Sequence, residues 1–273
     1  MLQSILTPVL ILSVLGLLFG LGLAFASKKF EVKENEKIAQ VRELLPGANC
    51  GACGYSGCDS FAAAVAEGNG PVNACPVGGS EVAKKISELL GVEAGEVERK
   101  TARVLCSGTH DNCKQKFEYS GIEDCAAAAS LYGGSSACLY GCLGLGNCAR
   151  ACPFDAIVIE NGLARVIQSK CTACGKCVAA CPKGIIEIVP QSSEYTVRCS
   201  SLDKGNIVRQ NCQVGCIGCR KCSKVCPADA ISFKGTLAKI NPDLCTNCGA
   251  CMEECPTKAI NYYHDCSSNT QSA

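Results

Sequence analysis

Tryptophan is absent from this 273-residue chain, aromatic residues make up 5%, and there are only two histidines. Without aromatic platforms, bases have nothing to stack on. A net charge of +1 offers no basic field for a phosphate backbone either, so nucleic acid is not expected as a partner. Common catalytic signatures are missing too: there is no P-loop, no H-E-x-x-H and no pair of acids placed for hydrolysis. His110 and His264 sit among polar neighbours, as surface histidines do. Gly144-x-Gly146-x-x-Ala149 mimics a dinucleotide fingerprint. It follows no strand and lies between cysteines, so it fails the context that motif requires.

Cysteine is what the chain has in excess, at 26 residues. Three runs share the form C-x2-C-x2-C-x3-C-P: Cys171/Cys174/Cys177/Cys181, Cys216/Cys219/Cys222/Cys226 and Cys245/Cys248/Cys251/Cys255. That spacing belongs to bacterial ferredoxins and 4Fe–4S clusters. A secreted disulfide framework is the first alternative, but such frameworks are short and do not repeat C-x2-C. Zinc is the second, but its paired cysteines normally come from two distant stretches.

A fourth run is degenerate. Cys138-x3-Cys142-x5-Cys148-x3-Cys152-Pro153 overlays Cys212-x3-Cys216-x2-Cys219-x2-Cys222-x3-Cys226-Pro227, with Leu145 standing where Cys219 stands. Cys138 is therefore expected to supply the missing thiolate. The repeat extends upstream, where Val104-Leu-Cys106-Ser resembles Val197-Arg-Cys199-Ser. In two-cluster ferredoxins the fourth cysteine of one run serves the other cluster. The expected sets are then Cys171, Cys174, Cys177 with Cys152; Cys138, Cys142, Cys148 with Cys181; Cys216, Cys219, Cys222 with Cys255; and Cys245, Cys248, Cys251 with Cys226. A separate site is expected from Cys50-x2-Cys53-x4-Cys58-x16-Cys75, whose glycine-rich loop can turn backbone N–H groups toward an anionic cluster. The total is five 4Fe–4S clusters and no other catalytic residue. Cys106, Cys113, Cys125, Cys199, Cys212 and Cys266 are left over, either as buried or free thiols or, for the first three with one more, as a further centre. Cys212 is also a candidate to replace a neighbouring ligand.

Ile5 to Ala26 carries no charge and is long enough to span a bilayer. Lys28 and Lys29 follow it and no Lys or Arg precedes it, which points to a single-pass anchor with residues 28–273 on the cytoplasmic side. Ala24-Phe25-Ala26 resembles a cleavage site, but a signal peptide would begin with a basic stretch. Gly16 and Gly20 form a G-x-x-x-G that suits close approach of a second helix.

The expected fold class is α+β: an N-terminal transmembrane helix (1–27), a helical stalk (28–45), a small helical 4Fe–4S domain (46–92), a cysteine-containing connector (93–137), then two tandem ferredoxin-like modules (138–190 and 212–263) joined by a linker (191–211), and a tail (264–273). Ser80 to Leu90 reads as a helix closed by Gly91. Asn161-Gly162 reads as a hairpin turn, and Lys234-Gly235-Thr236 separates the matching pair of strands in the second module.

The anchor, the loop Leu44-Leu45-Pro46-Gly47-x-Asn49-Cys50-Gly-Ala-Cys53-Gly-Tyr-x-Gly57-Cys58 and the downstream runs together resemble the B subunits of the Rnf complex, the membrane-bound ferredoxin:NAD+ oxidoreductase. The likeness covers nearly the whole chain. The resemblance implies an iron–sulfur subunit of an ion-translocating complex in the cell membrane, with Cys50, Cys53, Cys58 and Cys75 holding one cluster. Reduced ferredoxin would be the donor, and membrane and flavin-bearing subunits of the same complex the acceptors. The shorter members have one two-cluster module, so the second module resembles the longer form of anaerobes. A membrane-anchored polyferredoxin subunit of a hydrogenase or formate dehydrogenase is the alternative.

Overall fold

A computed structural model describes residues 2–29, 35–95 and 98–263. Its first element, α1 (Leu2–Lys29), is 28 residues long and ends on the two lysines. Among the described residues it is the one helix long and apolar enough to cross a membrane. Leu12, Leu17, Phe19, Leu23 and Phe25 are all exposed, so these side chains pack on no other part of the described chain. A Cβ at Gly16 or Gly20 would meet open space.

The expected stalk is a core helix instead. α2 (Glu36–Leu44) starts at Asn35, whose side chain accepts from the Lys37 N–H at 3.1 Å, a regular N-cap. Its apolar face packs on α3 (Cys58–Ala66) and α4 (Gly79–Leu90). Val41, Phe61 and Ile86, one from each helix, are at most 1% exposed, and burying each contributes about 1.5–3 kcal/mol. A free stalk would leave Val41 and Leu45 in water, which is why the segment folds back onto the domain. Residues 30–34 lie outside the described residues. As expected, Gly91 closes α4 at φ +71°, donating its N–H to the Ser87 carbonyl at 2.8 Å.

The remainder forms two ferredoxin-like modules, each built from two short antiparallel sheets. In the first, β1 (Lys100–Val104) pairs with β4 (Ile186–Pro190), from Lys100 opposite Pro190 to Val104 opposite Ile186, and β2 (Ile157–Glu160) pairs with β3 (Leu163–Val166). In the second, β5 (Tyr195–Val197) pairs with β8 (Ile260–Tyr262), and β6 (Ile231–Lys234) with β7 (Leu237–Ile240). Asn161 and Gly162 both take positive φ, 48° and 73°, so the β2–β3 hairpin uses the turn its sequence indicates. Short helices sit between the strands: α5 (Cys125–Ser130), α6 (Asn147–Arg150), α7 (Lys176–Ala180), α8 (Gly205–Asn211), α9 (Lys221–Lys224) and α10 (Ala250–Glu253).

Each module thus begins earlier than 138 or 212. The connector 93–137 contributes β1 and α5, and the linker 191–211 contributes β5 and α8. The reason is backbone satisfaction: β4 and β8 are last strands whose N–H and C=O groups need a partner, and the strand ahead of each module supplies it. The tail 264–273, with His264 and Cys266, lies outside the described residues.

The modules dock on each other through β1 and β5. Arg103 of β1 is 1% exposed. It donates to Thr196 Oγ1 at 2.6 Å and to the Ser193 carbonyl, and its guanidinium carbon lies 4.9 Å from the centre of the Tyr263 ring. From the other side Arg198 donates to the Cys106 carbonyl at 3.2 Å and Ser200 to the Leu105 carbonyl at 2.8 Å. Arg103→Ala leaves buried acceptors without a donor and is expected to destabilise the intact protein by about 2–3 kcal/mol. A urea midpoint equal to that of the parent protein would show that the modules do not depend on this contact.

Candidate functional site

Cys50, Cys53, Cys58 and Cys75 line one small cavity, together with Pro46, Phe61 and Val77. Gly51 and Gly54 take φ of 74° and 88°, and Asn49 Oδ1 accepts the Cys58 N–H at 2.8 Å, which fixes the loop against the first turn of α3. The Gly78 N–H points at Cys75 Sγ, 3.4 Å away. Burial raises the Cys75 thiol above its ordinary range while the N–H groups of Gly78 and Val77 act against that.

The four loops of the two modules share one backbone. The residue before the second ligand position is left-handed in each: Gly144 (φ 70°), Ala173 (56°), Gly218 (67°) and Asn247 (55°). The residue after it is left-handed too: Gly146 (81°), Gly175 (77°), Arg220 (60°) and Gly249 (78°). Leu145 therefore occupies a cysteine's place in an intact loop. A third left-handed residue follows each fourth cysteine by three positions, at Asp155, Gly184, Asp229 and Lys258. In three of these loops the next N–H reaches back to that sulfur: Ala156 to Cys152 at 3.4 Å, Ala230 to Cys226 at 3.4 Å and Ala259 to Cys255 at 3.3 Å. Such donors stabilise thiolate and tune an iron–sulfur centre.

The fourth cysteines cross between loops. Cys152 lines a cavity with Cys171, Cys174 and Cys177. Cys222 has Cys216, Cys219 and Cys255 near enough to act on it electrostatically, and Cys251 has Cys245, Cys226 and Cys248. The degenerate run differs from its expectation. Cys142, Cys148 and Cys181 line a cavity with Cys125, and Cys138 is not among them. Cys138 lines a different cavity, between the two modules.

Cys125 is held in place by a local network. Its N–H donates to Asn147 Oδ1 at 2.8 Å, and Asn147 Nδ2 donates to Asp124 at 2.7 Å. Arg150 donates to Asn147 Oδ1 and to the Glu123 carbonyl, both at 2.7 Å. Asp124 also caps α5 through the Ala127 N–H, and that bond, followed by Asn147, holds its carboxyl below the usual range. A cue did exist in the sequence: Cys125 heads an alanine-rich helix, as Cys58 does, and an asparagine side chain receives the N–H in both cases.

Burial, followed by the neighbouring cysteines, pushes Cys148 up to about 12 and Cys177, Cys222 and Cys251 up to about 11. In the metal-free protein these thiols hold their protons at neutral pH, so cluster insertion must release them. Iron and sulfide uptake at fixed reagent concentrations is therefore expected to become more favourable as pH rises below about 11. Proton release that did not accompany iron uptake would contradict this.

A tetrahedral zinc, with Zn–S near 2.3 Å, would draw its sulfurs to within about 4 Å of one another. Among the described residues no three His, Cys, Asp or Glu side chains are grouped to hold a single metal ion. The sets of four, with backbone donors aimed at sulfur, instead fit a cluster that binds one iron per corner.

Family models match three stretches of the chain. An Fe-S cluster family matches residues 45–77, and 4Fe-4S dicluster domains match 134–182 and 215–259. The chain is 49% identical over 246 residues to the B subunit of the Na(+)-translocating ferredoxin:NAD(+) oxidoreductase complex of Acetobacterium woodii, covering 90% of this chain and 74% of that protein. It is 46% identical over 243 residues to the B subunit of the ion-translocating oxidoreductase complex of Methanosarcina acetivorans, covering 89% and 92%. It is 40% identical over 247 residues to the B subunit of the proton-translocating ferredoxin:NAD(+) oxidoreductase complex of Clostridium ljungdahlii, covering 90% and 87%. With its 4Fe–4S domains and this likeness along nine-tenths of its length, the chain belongs to the family of B subunits of ion-translocating ferredoxin:NAD+ oxidoreductases, the iron–sulfur electron-transfer subunits of the Rnf complex.

Proposed function

We propose that this protein takes electrons from reduced ferredoxin on the cytoplasmic side and hands them to membrane and flavin-bearing subunits of its complex. Bound clusters supply one-electron storage and transfer, and the chain's own residues hold, space and shield them. The proposed ligands are Cys50, Cys53, Cys58 and Cys75 in the first domain; Cys152, Cys171, Cys174 and Cys177, with Cys125, Cys142, Cys148 and Cys181, in the first module; and Cys216, Cys219, Cys222 and Cys255, with Cys226, Cys245, Cys248 and Cys251, in the second. The observation that supports this reading is the loop backbone repeated four times, with the cysteines of the first module gathered four to a cavity from more than one loop. α1 would tether the assembly, with Lys28 and Lys29 at the cytoplasmic surface.

The first domain faces the first module across a cleft of about 850 Å³. Ala52, Pro76 and Val77 line one wall, and Cys171, Thr172 and Cys174 the other. Both walls are cluster-binding loops, which makes this cleft the natural crossing between the two units. In anaerobic membranes supplied with reduced ferredoxin, Cys53→Ala is expected to lower NAD+ reduction by about 100-fold or more, since even outer-shell changes cost 10–100-fold at metal sites. Undiminished NAD+ reduction would refute the first domain's place on the route.

A further inference from the structure

With Cys125 completing the degenerate run, Cys138 is left without a role, and so are Cys106, Cys113, Cys199 and Cys212. These five thiols are scattered over more than a hundred positions in sequence, yet all line one cavity between the two modules. We propose that Cys106, Cys138, Cys199 and Cys212 hold a sixth 4Fe–4S cluster, which joins the clusters of the first module to those of the second.

The internal repeat selects these four. Cys106 follows β1 as Cys199 follows β5, within the matching stretches Val104-Leu-Cys106-Ser and Val197-Arg-Cys199-Ser. Cys138 precedes Cys142 by four positions, as Cys212 precedes Cys216. Each module therefore contributes two equivalent thiols to a shared pocket, with β1 and β5 docked beside it. Cys113 has no counterpart in the repeat. It stands opposite Cys212 in an isolated β-bridge and has its sulfur 3.2 Å from Ser136 Oγ.

Backbone donors surround these sulfurs as they do the other proposed ligands. Cys106 Sγ accepts from the Gly108 N–H at 3.3 Å and the Cys142 N–H at 3.5 Å. The backbone N–H groups of Cys216 and Ser201, the equivalent positions of the second module, lie beside Cys199. Cys138 faces the N–H groups of Tyr140 and Gly141, and Cys212 that of Val214. Thiolate carrying negative charge toward iron is what such a cradle favours.

The location gives the site a purpose. Cys142, whose N–H touches Cys106, is a proposed ligand in the first module. Cys216, whose N–H lies beside Cys199, is one in the second. A cluster in this pocket would contact both neighbours through a single residue each. Each hop oxidises one cluster and reduces the next by one electron, with no proton or atom transferred, the electrons coming from reduced ferredoxin. This relay rests on the proposed electron-transfer function; the existence of the cluster does not.

Iron and labile sulfide counts on the full chain, purified anaerobically, test the site. Six clusters require about 24 iron atoms per chain and five about 20. The double variant Cys106→Ser/Cys199→Ser should lose about four iron and four sulfide, along with one cluster's share of the reduced paramagnetic signal, while Cys113→Ser should keep them. About 20 iron in the parent protein, a Cys113–Cys212 disulfide found by mass spectrometry under anaerobic handling, or one zinc per chain would overturn the proposal. Iron lost from Cys113→Ser but not from the double variant would overturn the ligand assignment. In membranes, the double variant should reduce NAD+ about tenfold or more slowly, and full activity after the loss of four iron would refute the relay alone. If Cys53→Ala were fully active while the count stayed near 24, the electron route would fail and the site would stand.

Discussion

Cys125→Ala is expected to remove one whole cluster, about four iron atoms per chain, and to lower ferredoxin-driven NAD+ reduction by about 100-fold or more. The thiol closes a cavity in which burial already holds Cys148 protonated up to about 12. With only Cys142, Cys148 and Cys181 remaining, iron must compete with protons for three corners and has no fourth. Leu145 cannot take over, because its side chain offers no donor although its loop is intact. Double variants separate the two cavities. Cys125→Ala combined with Cys148→Ala should cost no more iron than either change alone, since both act on one cluster. Cys125→Ala combined with Cys138→Ala should cost about twice as much, since the two act on different clusters. If instead Cys138→Ala and Cys148→Ala failed to add, Cys138 would be the ligand after all.

Stripping the iron should unfold both modules while leaving most of the helical first segment. The modules have little else to stand on. Their four sheets are two-stranded, and an isolated two-stranded sheet is marginal in water. Helices α6, α9 and α10 are four residues long, far below what a helix needs to persist alone. Cysteines are part of the core itself: Cys148 and Cys177 pack with Val104, Leu163 and Ile185 in one module, and Cys222 and Cys251 with Val197 and Ile260 in the other. Structural metal sites contribute roughly 10 kcal/mol or more of folding free energy, comparable to the whole stability of a typical domain. The expected result is loss of backbone hydrogen-exchange protection at Ala102, Val104 and Val197 after chelation, with protection at Val65 and Ile86 reduced less. The first domain has a three-helix core of its own around Phe61. Unchanged protection in β1 and β5 would mean that side-chain packing, rather than iron, carries the modules.

Cluster loops were legible because their information is local. Three thiols within seven residues and a proline after the fourth determine a loop regardless of what surrounds it. The same holds for α4 with its closing Gly91, and for the Asn161-Gly162 hairpin. Elements whose role depends on a distant partner were misplaced. α2 has an amphipathic pattern that suits a stalk and a core helix equally, and only the apolar faces of α3 and α4 decide between them. β5 is three residues long, too short for alternation to register, and it exists because β8 needs an edge partner.

Composition and spacing by themselves determined that this protein binds iron–sulfur clusters, that it carries a bilayer-length apolar helix, and that its second half is a duplication. Which cysteine lines the cavity of the damaged run was decided by tertiary structure alone. Cys125 and Cys138 lie on either side of the same turn-rich stretch, and either is within reach of Cys142 along the chain. The Asn147–Asp124–Arg150 network pulls one into the first module's cavity, and the docking of β1 against β5 leaves the other facing the second module. A ligand set is a meeting of sulfurs in space, and chain spacing constrains that meeting only where the loop between them is too short to go elsewhere.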